Sequence, residues 1–61
     1  MIYVATVITD NNRFSKTFPT IHEAGEWLDQ YAIDNNNTTM IETYNEAGYK
    51  TDGFIYSEKS K

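Results

Sequence analysis

Pro19-Thr20-Ile21-His22-Glu23-Ala24-Gly25-Glu26-Trp27-Leu28 is the stretch that decides the fold, because an extended chain turns into a helix within it. Thr20 and Glu23 have the spacing of a capping box, in which hydroxyl and carboxylate satisfy the free amides of a helix start. The proline ahead of them removes a backbone donor and ends the preceding strand. From about Ile21 to Ile33, a step of about 100° per residue gathers Ile21, Ala24, Gly25, Leu28, Tyr31 and Ala32 on one side, with Trp27 flanking. Glu23, Glu26, Gln30 and Asp34 fall on the other side. The pattern predicts a helix laid by one face on a sheet, with acids outward. Asp34-Asn35-Asn36-Asn37 ends it, since asparagine suits helix ends and turns.

Toward the N-terminus, Met1–Thr9 is rich in β-branched and aromatic residues and has apolar side chains on both faces, so it reads as a central strand. Asp10-Asn11-Asn12 is turn chemistry, and Arg13–Phe18 alternates with Phe14, Lys16 and Phe18 on one face. The two runs predict an antiparallel hairpin. Toward the C-terminus, Thr38–Tyr44 and Tyr49–Ser57 are strand candidates. Asn45-Glu46-Ala47-Gly48 between them suits a type I turn closed by a left-handed glycine. The faces of this second hairpin stay open, because Met40 and Tyr44 share a side with Glu42 while Ile41 shares one with Thr43. The expected fold is α+β: ββαββ, one helix packed on a four-stranded, largely antiparallel sheet. Residues 1–57 form the single domain and 58–61 a polar tail.

The chain has 61 residues, which suffices for one core only. Nine aromatic rings favour a folded domain over disorder. There is no cysteine, so disulfides and thiolate metal sites are excluded, which fits a reducing cytoplasm. The longest apolar stretch, near Met1–Ile8, is too short to span a bilayer and lacks a basic start, so no membrane is expected. Residues 1–57 hold eight acids against Arg13, Lys16 and Lys50, a net charge of −5. That balance opposes contact with phosphates, so direct nucleic-acid binding is not expected.

Catalytic groups are hard to assemble from this sequence. His22 is the only histidine, and its sequence neighbours are Glu23 and Glu26 on a solvent-side flank, which reads as a surface pair. Glu23/Glu26 and Glu26/Asp29 could share a helix face, but paired carboxylates need a cleft to separate their pKa values. Asp34–Asn37 lacks the glycine and terminal glutamate of a calcium loop, and the three glycines are scattered. The chain is therefore read as a non-enzyme, with no cofactor and no metal.

Lys16-Thr17-Phe18-Pro19-Thr20-Ile21-His22-Glu23-Ala24-Gly25-Glu26-Trp27-Leu28 resembles the strand-to-helix junction of the arm-binding domains of phage-type integrases. The resemblance covers about a fifth of the chain and implies the same local structure. The basic residues those domains use on DNA are replaced here by acids. In size, acidity and Asn/Tyr-rich composition the chain is similar in style to small accessory proteins of phages and mobile elements, some of which inhibit host proteins by presenting carboxylates in place of DNA phosphates.

The expected function is accordingly a small acidic protein-binding module, an inhibitor of a host nucleic-acid-handling protein with a basic surface. The candidate contact residues are Glu23, Glu26, Trp27, Asp29, Asp34, Tyr44, Tyr49 and Tyr56, since carboxylates steer a basic partner and tyrosines suit interfaces. The alternative is a self-associating protein that forms a homodimer through its sheet face.

Overall fold

A strand with apolar residues on both faces needs a neighbour on each side and cover on at least one face, and β1 (Ile2–Ile8) has this environment. The computed structural model describes residues 1–58. The other elements are β2 (Arg13–Phe18), α1 (Ile21–Ala32), β3 (Thr38–Tyr44) and β4 (Lys50–Ser57). They form one sheet in the order β2-β1-β3-β4, with every neighbouring pair antiparallel. After the first hairpin the helix carries the chain across β1, so β2 and β3 flank β1 and run parallel to each other.

The register sorts the side chains into two faces. Tyr3, Ala5 and Val7 stand opposite Phe18, Lys16 and Phe14 on one side and Thr43, Ile41 and Thr39 on the other. This is the face under α1, and Ala5, Val7, Ala24, Leu28 and Ile41 are buried there. Tyr3, Phe14, Phe18, Trp27 and Tyr31 pack around that cluster. Ile2, Val4, Thr6 and Ile8 point the other way, level with Tyr44, Glu42, Met40 and Thr38. Thr6 is buried even there, and its hydroxyl meets that of Ser15 across the hairpin at 3.0 Å.

The helix begins at the expected cap, with the hydroxyl half of the capping box formed and the carboxylate turned to the hydroxyl instead of the Thr20 amide. The Thr20 hydroxyl accepts from the Glu23 amide at 3.2 Å and donates to the Glu23 carboxylate at 3.0 Å. Thr20 itself has extended backbone, as a cap residue should. Replacing it by alanine (Thr20→Ala) is expected to cost about 1 kcal/mol. Urea unfolding followed by circular dichroism checks this, and an unchanged midpoint would show that the cap contributes nothing. At the other end, the Tyr31 carbonyl accepts both the Asp34 amide and the Asn37 side chain, each at 3.2 Å.

The second hairpin settles its register on Ile41. Thr39, Ile41 and Thr43 point under the helix, and Met40, Glu42 and Tyr44 point away. The opposite choice would bury the Glu42 carboxylate, which is far more costly than burying threonines whose hydroxyls find partners. Thr39 meets the Ser57 hydroxyl at 2.7 Å. The turn is closed by Gly48 at φ 87°, with its amide on the Asn45 carbonyl at 3.0 Å. β4 carries a register shift near each end, between Thr43 and Tyr44 and between Thr39 and Met40 of its partner.

Three sequence expectations change. Ile21 was placed on the buried side of the helix but is 46% exposed. It lies in the first turn, where Cβ leans toward the helix N-terminus and away from the packed centre. The last strand starts at Lys50, because Tyr49 closes the turn through its carbonyl, which accepts from Asn45. The helix ends at Ala32, with Ile33 as its exposed cap. Of the expected tail, residues 59–61 lie outside the described residues.

Candidate functional site

The eight residues singled out by sequence do not share one surface. Glu23, Glu26 and Asp29 are exposed along the helix, as their spacing required. Each also has a local partner. Glu23 serves the cap, and a Glu26 carboxylate oxygen lies 2.6 Å from His22 Nε2 across one helical turn. Asp29 accepts the hydroxyl of Tyr56, which reaches across from β4. This bond to the carboxylate is the main reason the Tyr56 phenol is raised above its ordinary pKa, with burial and the Asp29 charge adding to it. Tyr56 is therefore a neutral donor at physiological pH. Its ring lies over Gly25 of the helix, 3.6 Å from where a Cβ there would sit, which is ordinary packing distance. Asp34, beyond the helix, accepts the Asn36 amide at 2.9 Å.

Trp27 is a core residue with one exposed edge. Its ring lies 6.0 Å from Phe14, 5.6 Å from Phe18 and 5.2 Å from Tyr31, in tilted and edge-on arrangements. Those geometries suit aromatic quadrupoles and knit the helix to β2. Tyr44 lies half-buried on the face away from the helix, and Tyr49 is 72% exposed at the end of the turn. The tyrosines are thus divided: Tyr56 belongs to the helix side and Tyr44 to the opposite side.

That opposite side is bare. Ile2, Val4 and Ile8 of β1, Met40 and Tyr44 of β3 and Ile55 of β4 point into it. Ile2 is 44% exposed and Ile55 52%. The face also holds Arg13 and an ion pair between Lys50 and Glu42 at 3.2 Å. Near that pair the surface dips into an open depression of about 240 Å3 lined by Met40, Glu42, Lys50, Gly53, Phe54 and Ile55. Charge is divided between the layers. The helix presents three carboxylates outward, while the bare face holds Glu42 paired with Lys50 and, at the other end, Arg13.

Sequence reasoning missed Ile2, Val4, Ile8, Met40 and Ile55 as surface residues. A signal existed: a central strand apolar on both faces, in a chain with one helix, leaves one apolar face without cover. Among the described residues, no group of three or more His, Asp or Glu side chains is placed to hold a metal, and no helix is long and apolar enough to cross a membrane. No protein-family model, curated protein or solved structure matches this chain.

Proposed function

We propose that this protein is a non-catalytic protein-binding module that docks through the bare face of its sheet and is steered by the carboxylates of its helix. The observation that carries this reading is the bare face itself, where Ile2, Val4, Met40, Tyr44 and Ile55 meet solvent around the Glu42–Lys50 pair. Contiguous apolar surface rimmed by polar groups is the usual mark of a protein contact. Glu23, Glu26 and Asp29 add a negative field that speeds encounter with a basic protein. A nucleic-acid-handling protein offers such a surface, and the module acts on it as a stoichiometric inhibitor. Association then slows as salt rises, because exposed charges are screened beyond about 8 Å at physiological ionic strength. Association kinetics measured at two salt concentrations test the steering, and a salt-independent on-rate would remove it.

A second reading is favoured by the near-balance of charge on the bare face. Arg13, Lys50 and Glu42 leave no strong repulsion between two such faces, so a homodimer can stack sheet on sheet. A concentration-dependent mass that disappears in Met40→Asp supports this reading, and a strict monomer removes it.

A further inference from the structure

We propose that β4 is a self-pairing edge, along which two copies join antiparallel in one register centred on Phe54. This goes beyond the binding reading above, since it uses the main chain at the sheet's rim instead of the bare face. β4 is the last strand of the sheet among the described residues, so one row of its amides and carbonyls has no strand neighbour. Such an edge is a template for another strand unless charge or shape guards it. β2, the other edge, is guarded by a cation on each face, Arg13 and Lys16. The middle of β4 is Gly53-Phe54-Ile55-Tyr56, with no charge, and all four residues are exposed.

The faces of β4 fix the register. Gly53 and Ile55 stand opposite Glu42 and Met40, on the bare side, and Lys50 joins them there through Glu42. Asp52 and Phe54 stand opposite Thr43 and Ile41, on the helix side. Tyr56 and Ser57 both lie on the helix side, bonded to Asp29 and Thr39. A twofold axis normal to the sheet pairs only residues that share a face. Centring on Asp52 sets that acid against its own copy and Lys50 against Phe54. Centring on Gly53 sets Lys50 against Tyr56, and centring on Ile55 sets Gly53 against Ser57, each time across faces. Centring on Phe54 matches the faces of the three central pairings: Gly53 meets Ile55, Asp52 meets Tyr56 and the two Phe54 rings meet. Two steps further out, past Thr51 opposite Ser57, Lys50 comes opposite Glu58 of the second copy, on both sides of the axis. The glycine leaves room for the isoleucine, and the opposed charges and aromatic pair are the cross-strand contacts that stabilise antiparallel sheets. α1 packs mainly over β1 and β3 and reaches β4 at Tyr56.

Sedimentation equilibrium of the whole chain and of two charge variants tests the register. The wild type is expected to approach twice its 7.1 kDa mass as concentration rises. Lys50→Glu alone and Glu58→Lys alone each create two like-charge pairs and are expected to associate about tenfold more weakly. An equimolar mixture of the two variants restores both opposite-charge pairs, and it is expected to recover the wild-type association as a heterodimer. Glu58 lies beyond the strand, so Glu58→Lys keeps the test valid should Lys50→Glu unfold through the loss of its pair with Glu42. A wild type that stays monomeric overturns the proposal. Dimerisation unaffected by Glu58→Lys, or unbounded assembly in place of a dimer, overturns it too. A monomeric wild type would also remove the bare-face homodimer, but none of these outcomes touches docking of the bare face on another protein, which Met40→Asp probes separately.

Discussion

Leu28→Ala is expected to lower the thermal midpoint by about 15 °C. Leu28 has no exposed surface and packs with Ala5, Val7, Ala24 and Ile41 at the centre of the only buried cluster among the described residues. Truncating a buried leucine costs about 3 kcal/mol, from lost transfer energy and from the cavity left behind. A chain of this length holds roughly 3–9 kcal/mol in total, and each kcal/mol moves the midpoint by about 4–8 °C. The small residues around Leu28 cannot collapse into the space, because Ala5 and Ala24 have no side-chain atoms beyond Cβ. Calorimetry or thermal circular dichroism measures the shift. A drop of only a few degrees would mean that the helix is not held on the sheet by this residue.

Trp27→Ala is expected to cost about 3 kcal/mol and to loosen the join between α1 and β2. The indole contacts Phe14, Phe18 and Tyr31 at centroid distances between 5.2 and 6.0 Å, so its removal unstitches one aromatic group rather than a single pair. By contrast, Tyr49→Ala removes a ring that is 72% exposed and should leave stability nearly unchanged. Urea unfolding of the two variants separates these roles. A Trp27→Ala protein as stable as the wild type would make the indole a contact residue, as its place among the sequence candidates suggested.

Much of the fold was legible because local signals agreed with one another. Thr20 and Glu23 set the helix start, the 3.6-residue period set its inner face, and Gly48 set the second turn. Arg13–Phe18 and Thr38–Tyr44 have the bounds the sequence suggested. The register of the second hairpin was not legible, because one face joins Met40 and Tyr44 to Glu42 while the other sets Ile41 among threonines, so neither is plainly the inner one. What decides it is the cost of burying Glu42, weighed against threonines that Ser57 and the backbone can satisfy, and that balance needs the tertiary partners. Tyr56 was hidden because its bond to Asp29 is long-range. Strict alternation puts it on the same side as Phe54, where it lies, and the register shift beside Thr39 adds Ser57 to that side. The acids of the helix were found from spacing, but their engagement with Thr20, His22 and Tyr56 was only partly visible. The two contacts within the helix follow from i,i+3 and i,i+4 spacing, whereas Asp29–Tyr56 spans 27 residues.

The central claim, that the bare face is the contact surface of a binding module, is tested most directly by affinity capture with two baits. One is the wild-type chain and the other is Met40→Asp, whose charge falls in the middle of that face and outside the helix-side core. Both baits are first shown to be folded by circular dichroism, and bound proteins are then quantified by mass spectrometry at low and at physiological salt. The account predicts a stoichiometric protein that the wild type retains and Met40→Asp releases, with weaker capture as salt rises. Equal retention of the same proteins by both baits would place the contact elsewhere and contradict the account.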